Sequence, residues 1–236
     1  MMIGAIVQAR ISSQRLPGKV LCKLNGKPLL GYVLERLERC CSVDKIIVAT
    51  STDERDAPIV DFCKECGCLC FRGSLEDVAS RLKEVLNRYQ FDGFVRISGD
   101  SPLLDQRLVD QAIKIFQQCN FEIVTNVFKR TYPKGQSVEV LDSKTFIRGY
   151  ELMRNLQDLE HSTPFFYRNC KDFKIFNFSS NNDYSGIQLS VDTTEDLKVI
   201  ASIIKCMDKP HWQYDLEDIL KIYQEVSKTL EVGHGK

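Results

Sequence analysis

Four apolar runs alternate with four stretches of helical periodicity across the first 118 residues. The runs at 3–7, 45–50, 68–71 and 93–97 have the length of strands. Between and after them, apolar residues recur every three or four positions. One helix opens at Pro28 with Leu29, Leu30, Val33, Leu34 and Leu37 on one stripe. A second covers 56–66 with Ile59, Val60 and Phe62 inward, a third 75–89 with Val78, Leu82, Val85 and Leu86 inward, and a fourth 105–118. Strand–helix units of this length return the chain parallel through right-handed crossovers. The pattern predicts an α/β fold, a mostly parallel central sheet flanked by helices. Ligands of such sheets gather beyond the carboxyl ends of the strands. Four polar segments fall there: residues 8–19, Ser51-Thr52-Asp53, Arg72-Gly73-Ser74 and Ser98-Gly99-Asp100.

The pattern changes after Asn120. Strands are expected at 121–126 and 137–141, around the turn-rich Tyr132-Pro133-Lys134-Gly135. Helices at 143–152 and 160–167 follow, then a strand at 173–178, a polar loop at 179–185 and a strand at 189–191. Thr193 or Thr194 would cap the next helix, which runs through Val199, Ile200, Ile203 and Ile204, with acidic residues in its first turn. A last helix spans about 215–230. The 236 residues suit a single domain, 1–236, with a distinct subregion at about 127–188.

Charge and targeting signals narrow the class. The 32 basic residues match 32 acidic ones, so bulk charge gives no support for nucleic-acid binding. No apolar run approaches the ~20 residues of a membrane span. Gln8 and Arg10 interrupt the first apolar stretch too early for a signal peptide, which leaves the cytoplasm as the expected compartment. Reduced thiols are then the default for the ten cysteines. The cluster Cys63, Cys66, Cys68, Cys70 reads as a helix end and the next strand, with Cys68 and Cys70 on one face; a zinc site is the alternative.

The chemistry concentrates in Gln8-Ala9-Arg10-Ile11-Ser12-Ser13-Gln14-Arg15-Leu16-Pro17-Gly18-Lys19. This loop offers backbone N–H groups, hydroxyls and fixed positive charges to a polyphosphate, yet matches neither common nucleotide fingerprint. Two carboxylates follow predicted strands, Asp100 and Asp192. Held together, they suit Mg²⁺, which takes one or two protein carboxylates plus substrate phosphates. The alternatives are an Asx-turn before Pro102 for Asp100 and a helix cap for Asp192.

Three ordered motifs carry a resemblance. Ala9-Arg10-x-x-Ser13-x-Arg15-Leu16-Pro17-Gly18-Lys19, Gly99-Asp100-x-Pro102-Leu103 and Val191-Asp192-Thr193-Thr194-Glu195-Asp196-Leu197 resemble the nucleotidyltransferases that make CMP-sugars. The opening loop is most similar to CMP-Kdo synthetase. The middle resembles the cytidylyltransferase-like family named after a spore-coat polysaccharide biosynthesis protein, through Arg72-Gly73-Ser74-x-x-Asp77-Val78-x-x-Arg81, Tyr132-Pro133-x-Gly135-x-x-Val138-Glu139-Val140 and Glu160-His161-x-Thr163-Pro164-Phe165. The resemblance implies a GT-A-like (Rossmann-like) nucleotidyltransferase fold. It also implies Mg²⁺-dependent transfer of CMP from CTP to an acidic sugar or related acceptor, with pyrophosphate released.

By that resemblance Arg10, Ser13 and Lys19 contact the triphosphate, and Arg15 is a further candidate. Arg10, Lys19 and Asp100 form the expected catalytic set. Ala9, Ser12, Gly18, Ser51, Arg72 and Ser98 complete the nucleotide site, and Asp100 and Asp192 match the metal-binding aspartates. An arginine can grip a carboxylate or phosphate through paired hydrogen bonds, so Arg72, Arg81 and Arg96 are candidates for an acidic acceptor. Tyr132, Lys134, Gln136, Glu139 and His161 are expected to line its pocket. The 127–188 subregion would carry acceptor contacts or a homodimer surface. Ser101 follows Asp100 where CMP-Kdo synthetase has an acidic residue, and 126–180 lacks its acceptor-region pattern. Two other classes stay open: a GT-A glycosyltransferase using a nucleotide-sugar donor, and a noncatalytic nucleotide-binding module.

Overall fold

The computed structural model describes residues 1–233. The first strand, β1 (Ile3–Gln8), leads through a short hairpin, β2 (Lys23–Leu24) and β3 (Lys27–Pro28), into α1 (Leu29–Leu37). Then β4 (Lys45–Ser51), α2 (Ala57–Glu65), β5 (Leu69–Gly73), α3 (Val78–Tyr89), β6 (Gly93–Ser98) and α4 (Gln106–Gln118) alternate as expected. The second half contains β7 (Ile123–Thr125), β8 (Glu139–Asp142), α5 (Ser143–Tyr150), α6 (Leu156–His161), α7 (Thr163–Arg168), β9 (Ile175–Asn177), α8 (Thr194–Lys205) and α9 (Leu216–Gly233).

Seven strands form one sheet in the order β5-β4-β1-β6-β8-β7-β9. β5, β4, β1 and β6 pair in parallel, β8 runs antiparallel to both β6 and β7, and β9 pairs parallel to β7. The strand period of two sends alternate side chains into two cores. Ile3, Ala5 and Val7 of β1 pack with α1, α4 and α8, while Ile6 joins Ile47 and Ala49 against α3 and the α5–α7 region. Cys63 is buried on α2 with half-buried Cys68 and Cys70 beside it, and Leu69 points the other way, as period two requires.

Local chemistry shifts several boundaries. α3 begins at Val78, later than expected, because Asp77 caps it by accepting from the Ser80 N–H. The helix expected over 160–167 is two helices, α6 and α7, broken at Ser162, where φ is +52. Pro164 explains the break. Inside a continuous helix it would remove one hydrogen bond and clash with the carbonyl four residues earlier; in the first turn of α7 it does neither. Residues 189–191 form no strand, and the chain bends at Ser190. A single bridge, Lys134 to Gln188, ties this segment to the 130s.

The C-terminal part is fastened to the sheet domain by buried polar groups. Arg36 donates to the carbonyls of His211 and Tyr214, and Gln106 to that of Trp212. The His211 imidazole contacts Glu35 through Nε2 at 2.8 Å. Burial pulls its pKa down to about 4, despite Glu35, with Arg36 and Lys27 also opposing its charge. The folded value lies below the ordinary 6.5, so between about pH 4 and 6.5 the unfolded chain binds more protons. The His211 contribution should therefore be complete above pH 6.5 and be lost as pH falls toward 4. Thermal denaturation of the protein and of His211→Gln checks this: the variant should show a shallower fall in Tm across that window, and equal slopes would remove His211 from the response.

Candidate active site

β1 ends at Gln8, and the chain then folds into a loop held by its own backbone. Ser13 and Gly18 both donate N–H groups to the Ile11 carbonyl, at 2.8 and 2.9 Å. Gly18 adopts φ +73, a left-handed conformation that costs other residues roughly 1–2 kcal/mol. That turn carries Lys19 inward at the start of a 3-10 turn, Lys19–Leu21. Buried Asp56 supports the loop from below. Its carboxylate accepts from the Ile11 N–H at 2.7 Å and from the Ser51 N–H and hydroxyl at 3.1 and 2.5 Å.

Lys19 is only 8% exposed and spends all three ammonium donors. Nζ lies 2.6 Å from Asp100 Oδ2, 2.9 Å from Asp192 Oδ1 and 2.8 Å from the Val191 carbonyl oxygen. Burial works against its charge, but Asp100 and Asp192 outweigh burial and hold its pKa above the ordinary lysine value. Burial likewise disfavours the Asp192 carboxylate, yet Lys19 and then Arg15 keep its pKa below the usual value. Arg15 reaches Asp192 Oδ2 at 3.2 Å. The Ser98 and Ser101 hydroxyls donate to Asp100 Oδ1 at 2.6 and 3.2 Å. The Val191 N–H donates to the Asp100 carbonyl at 2.9 Å, which joins the two segments through the backbone.

Neither aspartate is used up as a local cap. At α8 the cap is a reciprocal pair: Thr193 Oγ1 accepts from the Asp196 N–H, and Asp196 accepts from the Asp192 and Thr193 N–H groups. This leaves the Asp192 side chain to face Lys19 and Arg15. Thr193→Ala should cost about 1 kcal/mol in chemical denaturation, with Asp192 still anchored by Asp196; an unchanged midpoint would show that Asp196 alone suffices.

A pocket of about 480 Å³ opens over this cluster. The loop supplies Ala9, Arg10, Ser13, Arg15 and Lys19, the strand end supplies Ser98 and Asp100, and Asp192 closes the floor. The opposite wall contains Arg81, Glu160 and His161. Arg10 pairs with Glu160 at 3.2 Å. Arg81 is 2% exposed, donates to the Ser74 carbonyl at 2.8 Å and leaves Nε without a partner. Burial first, and Arg10 second, pull its pKa down to about 10. A second recess of about 250 Å³ shares Arg96, Ser98, Asp100 and Asp192 with the first and continues to Arg130, Lys134 and Ser137.

Other expected contacts lie outside these two spaces. Ser51 is fully buried against Asp56. Arg72 donates to the carbonyls of Ser51 and Asp53, both at 2.9 Å, and so braces the ends of β4 and β5. Ser12 and Gly18 shape the loop without lining the pocket. Gln136 is fully buried, accepting from the Asp105 N–H and donating to the Leu103 carbonyl. Tyr132 packs edge-on against Phe178 and borders a separate groove near Asp105 and Tyr184. Glu139 lies beneath Arg96, binding it at 2.6 Å and accepting from the Tyr167 hydroxyl at 2.5 Å. Asp56 and Arg130 escaped the sequence reading: Asp56 looked like a helix start, and no spacing rule links Arg130 to Asp100.

The family model described as Cytidylyltransferase matches residues 4–232. An uncharacterised protein of Methanocaldococcus jannaschii is 35% identical over 211 residues, covering 88% of this chain and 85% of its own. A 3-deoxy-manno-octulosonate cytidylyltransferase of Geobacter sulfurreducens is 32% identical, over 76% of this chain and 70% of its own. The spore coat polysaccharide biosynthesis protein SpsF of Bacillus subtilis is 28% identical, over 84% of each. Among solved structures, a cytidylyltransferase from Leptospira borgpetersenii serovar Hardjo-bovis superimposes with a TM-score of 0.91 at 27% identity, covering 100% of this chain and 98% of that one. The family model covers nearly the whole chain and a relative above 30% identity spans most of it: the chain belongs to the cytidylyltransferase family and is a CTP-using nucleotidyltransferase.

Proposed function

We propose that the protein transfers CMP from CTP to a hydroxyl of a sugar-like acceptor, with Mg²⁺ as cofactor, in the assembly of a surface polysaccharide or glycoconjugate. The observation that carries this reading is the convergence of Asp100 and Asp192 on the single Lys19 ammonium, at the mouth of a loop bearing Arg10, Ser13 and Arg15. The names of the SpsF and 3-deoxy-manno-octulosonate relatives support the choice of acceptor and pathway.

The donor set fits a hard cation. Two carboxylates converge to within 2.6 and 2.9 Å of one point, and all their ligand atoms are oxygen. Among the described residues no group of three or more His, Cys, Asp or Glu side chains is placed to hold a metal. The pair of carboxylates suits Mg²⁺, which keeps waters and takes phosphate oxygens beside one or two carboxylates. Asp100 and Asp192 would hold it, and when bound it would neutralise phosphate charge and orient the α-phosphate.

The chain itself contributes position and charge. Arg10, Arg15 and Lys19 offset the negative charge of the triphosphate and of leaving pyrophosphate. The rigid loop holds the α-phosphate toward Ser98 and the second recess. The acceptor oxygen bonds to the α-phosphorus as the bond to the bridging oxygen breaks. Pyrophosphate leaves with the electron pair, and the hydroxyl proton passes to water.

Pyrophosphate release tests the reading, measured with CTP, ATP, GTP and UTP against a panel of sugars, with Mg²⁺ and with a chelator. Release that needs CTP, Mg²⁺ and acceptor together is the expected result. Transfer from a nucleotide sugar without pyrophosphate release would replace it with the glycosyltransferase reading.

A further inference from the structure

Four of the ten cysteines meet at one place, the end of α2 and the start of β5, and the transfer chemistry uses none of them. The turn between the two elements is closed by its own backbone. Cys66 caps the helix and Gly67 takes φ +70. The Cys68 N–H donates to the Cys63 carbonyl at 2.8 Å, and the Gly67 N–H to the Lys64 carbonyl at 3.2 Å. A helix that ends this way packs the residue three before its cap against the residue two after it. Here both are cysteines, Cys63 and Cys68. The strand period then puts Cys70 on the face that Cys68 occupies.

The thiols of this cluster are unequal. Cys63 is fully buried, while Cys68 and Cys70 are half-buried on β5, the edge strand of the sheet, which small molecules can approach from its open side. Hydrogen bonding of the Cys63 thiol to Cys68 and Cys70 raises its own pKa, and burial adds to the rise. The same bonds pull Cys68 and Cys70 below the ordinary thiol value, against the effect of burial. Cys66 has its sulfur turned onto the Cys63 carbonyl at 3.5 Å, and partial burial holds its pKa up. A thiol that ionises readily, is open to solvent and is backed by a second thiol has the features of a redox-responsive cysteine. Among the described residues no group of three or more His, Cys, Asp or Glu side chains is placed to hold a metal, so the cluster is read by its thiol chemistry.

We propose that Cys68 and Cys63 form a hydroperoxide-sensitive dithiol, which closes to a disulfide and clasps α2 to β5. The Cys68 thiolate attacks one peroxide oxygen; the O–O bond breaks, and the departing oxygen takes the electron pair and a proton, leaving Cys68 as a sulfenic acid. The Cys63 sulfur then attacks the Cys68 sulfur. Its proton joins the departing hydroxide, and water leaves. Two thiols are oxidised by two electrons, and the peroxide is reduced to water or an alcohol. The turn already holds the pair together, so closure needs little movement. Both clasped elements end beneath the nucleotide loop: α2 starts beside Asp56, which accepts from the Ile11 and Ser51 N–H groups, and β5 carries Arg72, which donates to the Ser51 and Asp53 carbonyls. Oxidation therefore stiffens the support of that loop.

The test exposes the reduced protein to hydrogen peroxide, alkylates the remaining thiols and maps tryptic peptides by mass spectrometry without reduction. The peptide ending in Cys63-Lys64 should be joined to the peptide 65–72, and dithiothreitol should separate them. Cys68→Ser should abolish the join, while Cys66→Ser and Cys70→Ser keep it. The bridged protein should melt about 4–8 °C above the reduced one. Cys63→Ala, which keeps the site apolar, should let Cys68 proceed to the sulfinic acid under the same exposure. A join that survives Cys68→Ser, peroxide damage confined to other cysteines, or an unoxidised Cys68 in Cys63→Ala would overturn the assignment. A bridged protein that melts like the reduced one would overturn the clasp.

Discussion

Lys19→Met should lower turnover about a thousandfold and at the same time raise the affinity of the nucleotide-free protein for Mn²⁺. The two effects have one cause. The Lys19 ammonium occupies the point on which Asp100 and Asp192 converge, and its three donors are bound to both carboxylates and the Val191 carbonyl. On the proposed reading that charge would offset phosphate oxygens when nucleotide is present, and methionine supplies the length without the charge. Without nucleotide, the ammonium competes with any divalent cation for the same carboxylates. Its removal leaves two partly buried carboxylates with a single ion pair between them, Arg15 to Asp192, a costly arrangement that a divalent ion relieves. The variant should therefore melt lower than the parent, and Mn²⁺ should restore part of the loss, because a ligand that binds only the folded state stabilises it. Electron paramagnetic resonance reads free Mn²⁺ directly, without any turnover. Near-normal turnover would remove Lys19 from the phosphate site. Unchanged Mn²⁺ affinity would show that the two carboxylates do not form a cation site at all.

Much of this arrangement was legible in the sequence, and the illegible part has a common physical origin. Asp100 was readable because it follows a strand, and a parallel sheet delivers such ends to one edge; Asp192 follows a segment that only looked like a strand, and the Val191 N–H bond to the Asp100 carbonyl is what brings it there. The four strand–helix units were readable because both faces of a buried parallel strand are apolar. Which way a polar side chain turns at a strand end was not. Arg72 and Ser51 occupy positions where ligand contacts are common, but their donors go to the Ser51 and Asp53 carbonyls and to Asp56. Gln136 similarly satisfies the backbone of a loop more than thirty residues away in sequence. Such pairings depend on tertiary approach, which leaves no periodic trace. The same holds for residues 189–191, whose apolar character reads as a strand but whose backbone partners are Lys134 and Asp100, one on each side, with no neighbouring ladder to complete a sheet. The break at Ser162 was within reach, since Pro164 forbids a continuous helix there.

Gly135→Ala should be among the most damaging single-methyl additions in the molecule. Gly135 has φ +94, and a Cβ there would lie 2.5 Å from the Leu189 carbonyl carbon and 2.6 Å from the Ser190 nitrogen. Both are backbone atoms, so no side-chain rotation relieves the clash. The left-handed conformation costs roughly 1–2 kcal/mol and the overpacking about 1–3 kcal/mol. For a chain of this size that corresponds to a Tm lower by about 5–15 °C. The displaced segment is also the one that delivers Asp192. Leu189 is clipped to Lys134, and Val191 to Asp100, so pushing 189–190 outward draws Asp192 away from Lys19. Turnover should then fall by about a hundredfold at temperatures where the variant remains folded, since an ångström of misplacement is enough for such a loss. Gly186→Ala is the matched control: it lies in the same segment, and nothing stands within 4 Å of its added Cβ. It should leave both Tm and turnover near the parent values. Should Gly135→Ala melt like the parent, the contact between the 130s and the 189–190 backbone does not hold the site together; should it melt low yet turn over normally, Asp192 is not positioned through that contact.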